Sequence, residues 1–213
     1  MKSNQIKTIK VPDEWVLCGG SGVTVAVVDS YVSDECPNVI KKYSRTNGLY
    51  KGTHCLSVCE IISKVAPHCN IIASQAINEK TGSHYGLINA IDCLNDDTFD
   101  IVNFSLSTKD DKLDIKKRID RLTHRAIVVA AVANDGSCSY PALYDNVVSV
   151  SSFKRSTFDA DIYCDDSFIF GNDSIKKTGN SMSTAFVSGI FALAKSFNKN
   201  YTKEDIIKRL LEK

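Results

Sequence analysis

Val23-Thr24-Val25-Ala26-Val27-Val28-Asp29 is apolar at nearly every position and ends on a carboxylate. A strand with one wet face alternates apolar and polar residues. A run that is apolar throughout is the pattern of a parallel strand covered on both sides. Gly19, Gly20 and Gly22 come just before this run. A dinucleotide-binding fingerprint needs its glycines after the strand, opening a helix, so the cluster does not make one. Asp29 stands where open α/β sheets hold their sites, at a strand's carboxyl end. The same carboxylate also reads as a solvated strand end or turn former.

Outward from this strand, strands and helices alternate. Residues 1–20 read as a lead-in anchored by Trp15 and Leu17, and 33–53 as irregular. Thr53 is a plausible N-cap for a helix starting at His54, with Val58, Ile61, Ile62 and Val65 on one face and Ala66-Pro67 beyond its end. Strands are predicted at about 70–76, 100–106, 126–132 and 146–151, with helices around 84–95 and 111–124. The weak alternation over 157–171 predicts a hairpin turning at Asp165-Asp166. Thr202-Lys203-Glu204-Asp205 resembles a capping box opening a last amphipathic helix. The alternation predicts an α/β fold: a doubly wound, mostly parallel sheet with helices on both faces. A length of 213 residues fits one domain spanning 1–213.

Composition is that of a globular protein, 43% hydrophobic and 24% charged. A net charge of +1 argues against nucleic acid or an anionic membrane as partner, since both require a basic field. No apolar run reaches the roughly 18 residues of a membrane span. Met1–Lys10 is polar and lacks the apolar centre of a signal peptide, so a cytoplasmic location is expected. The eight cysteines then read as reduced thiols. Cys55, Cys59 and Cys69 lack zinc-ligand spacing and a histidine partner, so they read as small buried residues. No metal and no cofactor is expected.

Three further polar residues sit at positions like that of Asp29. His54 opens a helix, and Asn134 follows the strand Ala126-Ile127-Val128-Val129-Ala130-Ala131-Val132. Ser181 precedes a segment apolar on nearly every face (Met182, Ala185, Phe186, Gly189, Ile190, Leu193), a buried helix. Each has an ordinary reading: a surface histidine, a turn asparagine, an N-cap serine. In a parallel sheet, however, strand carboxyl ends and helix amino ends share one rim, so all four can meet there. The order Asp…His…Ser is one known order of triad members.

The surrounding words resemble the subtilisin-like (S8) serine peptidases. Val25-Ala26-Val27-Val28-Asp29-Ser30 is similar to that family's aspartate strand, and Ile101-Val102-Asn103-Phe104-Ser105-Leu106-Ser107 to its substrate-binding strand. Val129-Ala130-Ala131-Val132-Ala133-Asn134-Asp135-Gly136 resembles the oxyanion-asparagine segment. Gly179-Asn180-Ser181-Met182-Ser183-Thr184-Ala185 resembles the serine motif. The histidine word has two registers. Aligning Gly52-Thr53-His54 with the end of His-Gly-Thr puts Lys51 at the catalytic position and implies a dead enzyme. Aligning His54 itself keeps the family's distance to Ala66-Pro67 without a gap, and that register is preferred.

The resemblance implies an endopeptidase with Asp29, His54 and Ser181 as triad and Asn134 in the oxyanion hole. It implies substrate contacts at Ser105, Leu106, Ser107, Ala131 and Ala133. The partner is then a peptide or protein substrate, and the role a selective intracellular processing step such as leader removal. Tyr31 and Ala133 stand where the family usually has glycine, Asn180 replaces a threonine and Ala185 a proline. The first two narrow the expected cleft. A catalytically silent peptide-binding module is the alternative.

Overall fold

The computed structural model describes residues 9–44, 52–78, 81–152, 160–164, 168–170 and 175–211. Its centre is a seven-stranded sheet. In chain order the strands are β1 (Thr24–Asp29), β2 (Val39–Tyr43), β3 (Asn70–Gln75), β6 (Ile101–Phe104), β7 (Ile127–Ala131), β8 (Val148–Ser152) and β9 (Ile162–Cys164). They lie side by side as β2-β3-β1-β6-β7-β8-β9, and every neighbouring pair is parallel. Two short hairpins stand outside the sheet, β4 (Ile77–Asn78) with β5 (Thr81–Gly82), and β10 (Phe168–Phe170) with β11 (Ile175–Lys177).

The apolar run at β1 is explained by its place. It pairs with β3 on one side and β6 on the other, and both of its faces are covered. Val25 and Val27 face a layer formed with α1 (Asp13–Cys18), α2 (His54–Val65), α5 (Asn180–Phe197) and α6 (Lys203–Leu211). Ala26 and Val28 face the opposite layer, formed with α3 (His84–Asp92) and α4 (Leu113–Thr123). From β1 the chain passes to edge strand β2, returns through α2 to β3, then crosses to the other side of β1 through α3 to form β6. That reversal opens a crevice at the carboxyl ends of β1 and β6.

α2 and α5 share one layer and approach closely. A Cβ built on Gly189 of α5 would stand 2.7 Å from Val65 Cβ and 3.4 Å from the Ile62 carbonyl oxygen, both of α2. The missing side chain at Gly189 sets the separation of the two helices whose first turns carry His54 and Ser181. At α6 the expected capping box forms: Asp205 accepts from the Thr202 N–H and hydroxyl, and the Asp205 N–H donates to the Thr202 hydroxyl.

Several sequence expectations are corrected. Leu17 is 87% exposed, whereas Trp15 is buried against the Tyr201 ring and, with Ile9 and Val11 packed on the same core, anchors the lead-in, which contains α1. The stretch 33–53 is not wholly irregular, since Val39–Tyr43 forms edge strand β2. It was hidden because Ile40, Lys41 and Lys42 are exposed, so burial leaves no alternating pattern. The expected 157–171 hairpin does not form: Ile162–Cys164 joins the main sheet parallel to β8, and Phe168–Phe170 pairs with Ile175–Lys177. Asp165 and Asp166 lie outside the described residues. No described helix is long and apolar enough to cross a membrane.

The Gly189 contact yields a stability test. Gly189→Ala is expected to destabilise the chain, despite a helix-propensity gain of up to about 1 kcal/mol, because Val65 Cβ cannot yield without moving α2. Adding Val65→Ala should recover part of the loss. Urea denaturation of both single variants and the double variant should give a coupling energy of at least about 0.5 kcal/mol.

Candidate active site

The four polar residues singled out in the sequence line one cleft of about 420 Å³ at the carboxyl rim of the sheet. Asp29 ends β1, His54 opens α2, Asn134 follows β7, and Ser181 lies in the first turn of α5. Ser105, Leu106, Ser107, Ala131 and Ala133 line the same cleft, together with Ile77 and Ser30, which the sequence did not single out. Lys51, the competing histidine-position residue, lies outside the described residues.

Asp29 is buried at 1% exposure, and its Oδ1 accepts from the Ser30 N–H at 2.6 Å. The same oxygen is 2.8 Å from Nδ1 of His54. Beside a carboxylate acceptor, Nδ1 is the nitrogen that carries hydrogen, which fixes the ring's tautomer and orientation. The His54 side chain is 45% exposed, so the ring reaches from a buried anchor into the open cleft.

Ser181 faces β6. Its hydroxyl donates to the Ser105 carbonyl at 2.8 Å, and the Ser105 hydroxyl donates to the Ser181 carbonyl at 3.1 Å. Deeper in, Asn103 donates to the Ser105 hydroxyl at 2.9 Å and accepts from Ser188 at 2.9 Å. This buried chain of bonds ties the serine's turn of α5 to the strand beneath. Sequence reading missed Asn103, although a polar residue within the apolar run 101–104 was a visible signal. Beyond β6, Ser105–Ser107 belongs to no strand, so its backbone lies along the cleft outside the sheet's ladders.

Asn134 is held by its oxygen. The Asn180 N–H donates to Asn134 Oδ1 at 3.0 Å. An N–H must meet an acceptor, which assigns that atom as the amide oxygen and the other as the NH₂. Gly179, at φ +126°, allows this approach: a Cβ there would lie 3.4 Å from Asn134 Oδ1 in a backbone conformation that side chains rarely tolerate. Next in the chain, Asp135 is held well below the usual carboxylate range, first by the Ser137 hydroxyl and N–H and then by Lys109. These bonds pin the turn that presents Asn134.

Asn180 emerges as a second positioning residue. Its side chain accepts from the Ser152 N–H at 2.8 Å and donates to the Val132 carbonyl at 2.8 Å, fully buried between α5 and the ends of β7 and β8. The sequence marked it only as a departure from a familial threonine.

A parallel α/β sheet that gathers a buried carboxylate, a histidine and a helix-borne serine at one rim has the architecture of an α/β serine hydrolase. The profile of the Subtilase family matches residues 20–213, and the chain belongs to that family of serine endopeptidases. It is 25% identical to thermitase of Thermoactinomyces vulgaris, over 88% of this chain and 80% of that protein. It is 26% identical to the major intracellular serine protease of Bacillus subtilis (strain 168), over 91% of this chain and 75% of that protein. Among solved structures, the prenylagaramide maturation protease PagA superposes with a TM-score of 0.71 at 22% identity, covering 92% of this chain and 84% of that one. A cold-adapted subtilisin-like serine proteinase gives a TM-score of 0.74 at 21% identity, covering 89% and 81%. At these identities the structural likenesses speak for the fold.

The bridging role of Asn180 is testable. Asn180→Ala strands a buried N–H and a buried carbonyl, a change expected to cost about 1–3 kcal/mol. Chemical denaturation should show that loss, and Asn180→Asp should not restore it, because a carboxylate cannot donate to Val132.

Proposed function

We propose that this endopeptidase cleaves peptide bonds with Ser181 as nucleophile, His54 as general base and then acid, and Asp29 as the group that orients the imidazole. The 2.8 Å contact between His54 Nδ1 and Asp29 Oδ1, in the cleft that also holds Ser181, carries the reading. For attack, the Ser181 hydroxyl turns from the Ser105 carbonyl toward His54 Nε2. His54 takes the proton as Oγ bonds to the substrate carbonyl carbon. The carbonyl oxygen gains the negative charge, and the Asn134 NH₂ and Ser181 N–H hold it. The C–N bond then breaks as His54 gives its proton to the departing amine. Water repeats the sequence on the acyl-enzyme to release the acid and restore Ser181. Asp29 stays ionised throughout and stabilises the imidazolium.

An extended substrate fits along the backbone of Ser105, Leu106 and Ser107 as an added strand, with its side chain beside Ala131 and Ala133. Ala133 adds bulk to that path and favours a selective cleavage; Tyr31, expected to narrow the cleft as well, instead lines a separate hollow with Thr53 and Leu56. A processing role inside the cell, such as trimming a precursor peptide, is consistent with two likenesses. One is the intracellular Bacillus subtilis relative, and the other the maturation protease among the structural neighbours.

Ser181→Ala and His54→Ala should each abolish hydrolysis of a fluorogenic peptide, with losses up to about 10⁶-fold, a magnitude carried over from a subtilisin. A fluorophosphonate should label the parent at Ser181 and label His54→Ala far more slowly. Unchanged labelling of His54→Ala would remove that residue as the base. Asn134→Ala should lower kcat about 10²–10³-fold, again a subtilisin value, with KM little changed. An equal loss in binding would count against transition-state stabilisation.

A further inference from the structure

Cys36, Cys55 and Cys59 come together near the Asp29–His54 pair. Cys55 and Cys59 lie one turn apart on α2, and Cys36 reaches them from the segment that follows β1. Their sulfurs all lie within 4.8 Å of one another, and those of Cys55 and Cys59 are 4.0 Å apart. Cys55 and Cys59 are fully buried, and Cys36 is 7% exposed. The sequence had grouped Cys69 with the α2 pair, but Cys69 stands outside the cluster, and burial pushes its thiol up to about 11. Cys36 behaves oppositely. The neighbouring Cys55 and Cys59 thiols draw its proton affinity below the usual thiol range, against burial and the nearby charge of Asp29.

Thiol-only donor sets select soft cations. With metal–sulfur bonds of about 2.3 Å, a planar three-coordinate centre sets its sulfurs about 4.0 Å apart, which matches the Cys55–Cys59 separation. Structural zinc almost always takes four ligands. No fourth histidine, cysteine or carboxylate joins this group among the described residues. We propose that Cys36, Cys55 and Cys59 form a three-thiolate site for a soft monovalent cation of the Cu(I) class. The thiol protons pass to solvent as the sulfurs bind, and no electron is transferred. An ion held there ties the segment after Asp29 to the first turns of α2, whose first residue is His54. It also places new charge near Asp29. The site stands on thiol geometry alone, so its test is independent of the peptidase reading.

The reduced full-length chain, titrated anaerobically with Cu(I) against a chromophoric Cu(I) chelator, should take up one ion per chain. X-ray absorption should show three sulfur neighbours at about 2.3 Å. Cys36→Ser, Cys55→Ser and Cys59→Ser should each weaken binding by at least about a hundredfold, more than loss of an outer-shell partner. Cys69→Ser and Cys138→Ser should bind like the parent. Cu(I) should raise the unfolding midpoint of the parent and not that of Cys36→Ser. Denaturation of each variant without metal separates lost binding from lost folding. Parent-like binding by a folded Cys36→Ser chain, two or fewer sulfur neighbours, or displacement of Cu(I) by equimolar Zn(II) would overturn the proposal.

Discussion

Seven strands running the same way impose the constraint on which everything else rests. Parallel strands put all their carboxyl ends on one rim, and the helices that follow or precede them bring their amino ends to it. Asp29 and Asn134 arrive as strand ends, and His54 and Ser181 as helix starts. What the chain must add is spacing, and the close approach of α5 to α2 at Gly189 supplies it.

Spacing alone leaves side chains free to turn, so buried polar networks finish the site. Asn103 links Ser188 to Ser105 and so anchors the serine's turn from below. Asn180 joins the ends of β7 and β8, while its backbone N–H fixes the Asn134 amide. Both asparagines are buried, and every bond that they make there is costly to leave unmade. Rigid support of this kind is what the oxyanion role proposed for Asn134 requires, since a pocket set in advance need not reorganise as charge develops.

Much of this arrangement was legible in the chain itself. Runs apolar on both faces, such as 23–28 and 126–132, announce central parallel strands because burial on two sides removes the alternation. The four rim residues were legible because each adjoins such a run or a helix start. Failures came where burial is partial. β2 carries lysines outward, and Leu17 sits on the wet face of a six-residue helix. The Cys36–Cys55–Cys59 cluster was illegible for another reason: it joins two segments whose meeting depends on tertiary packing, and spacing along α2 shows only two of its members. Asn103 was visible as a polar residue in an apolar strand, yet one of its two partners, Ser188, lies on α5, 85 positions away in the chain.

The outermost strand, β2, leaves one ladder of backbone groups facing water. Lys41 pairs with Asp97, and Lys42 with Asp34. A hydrated ammonium on this margin discourages a foreign strand from docking, because docking would strip its water. A protein proposed to bind extended chains in one cleft thus carries a guarded border at β2. Those two lysines weigh against pairing of a second sheet at the β2 edge.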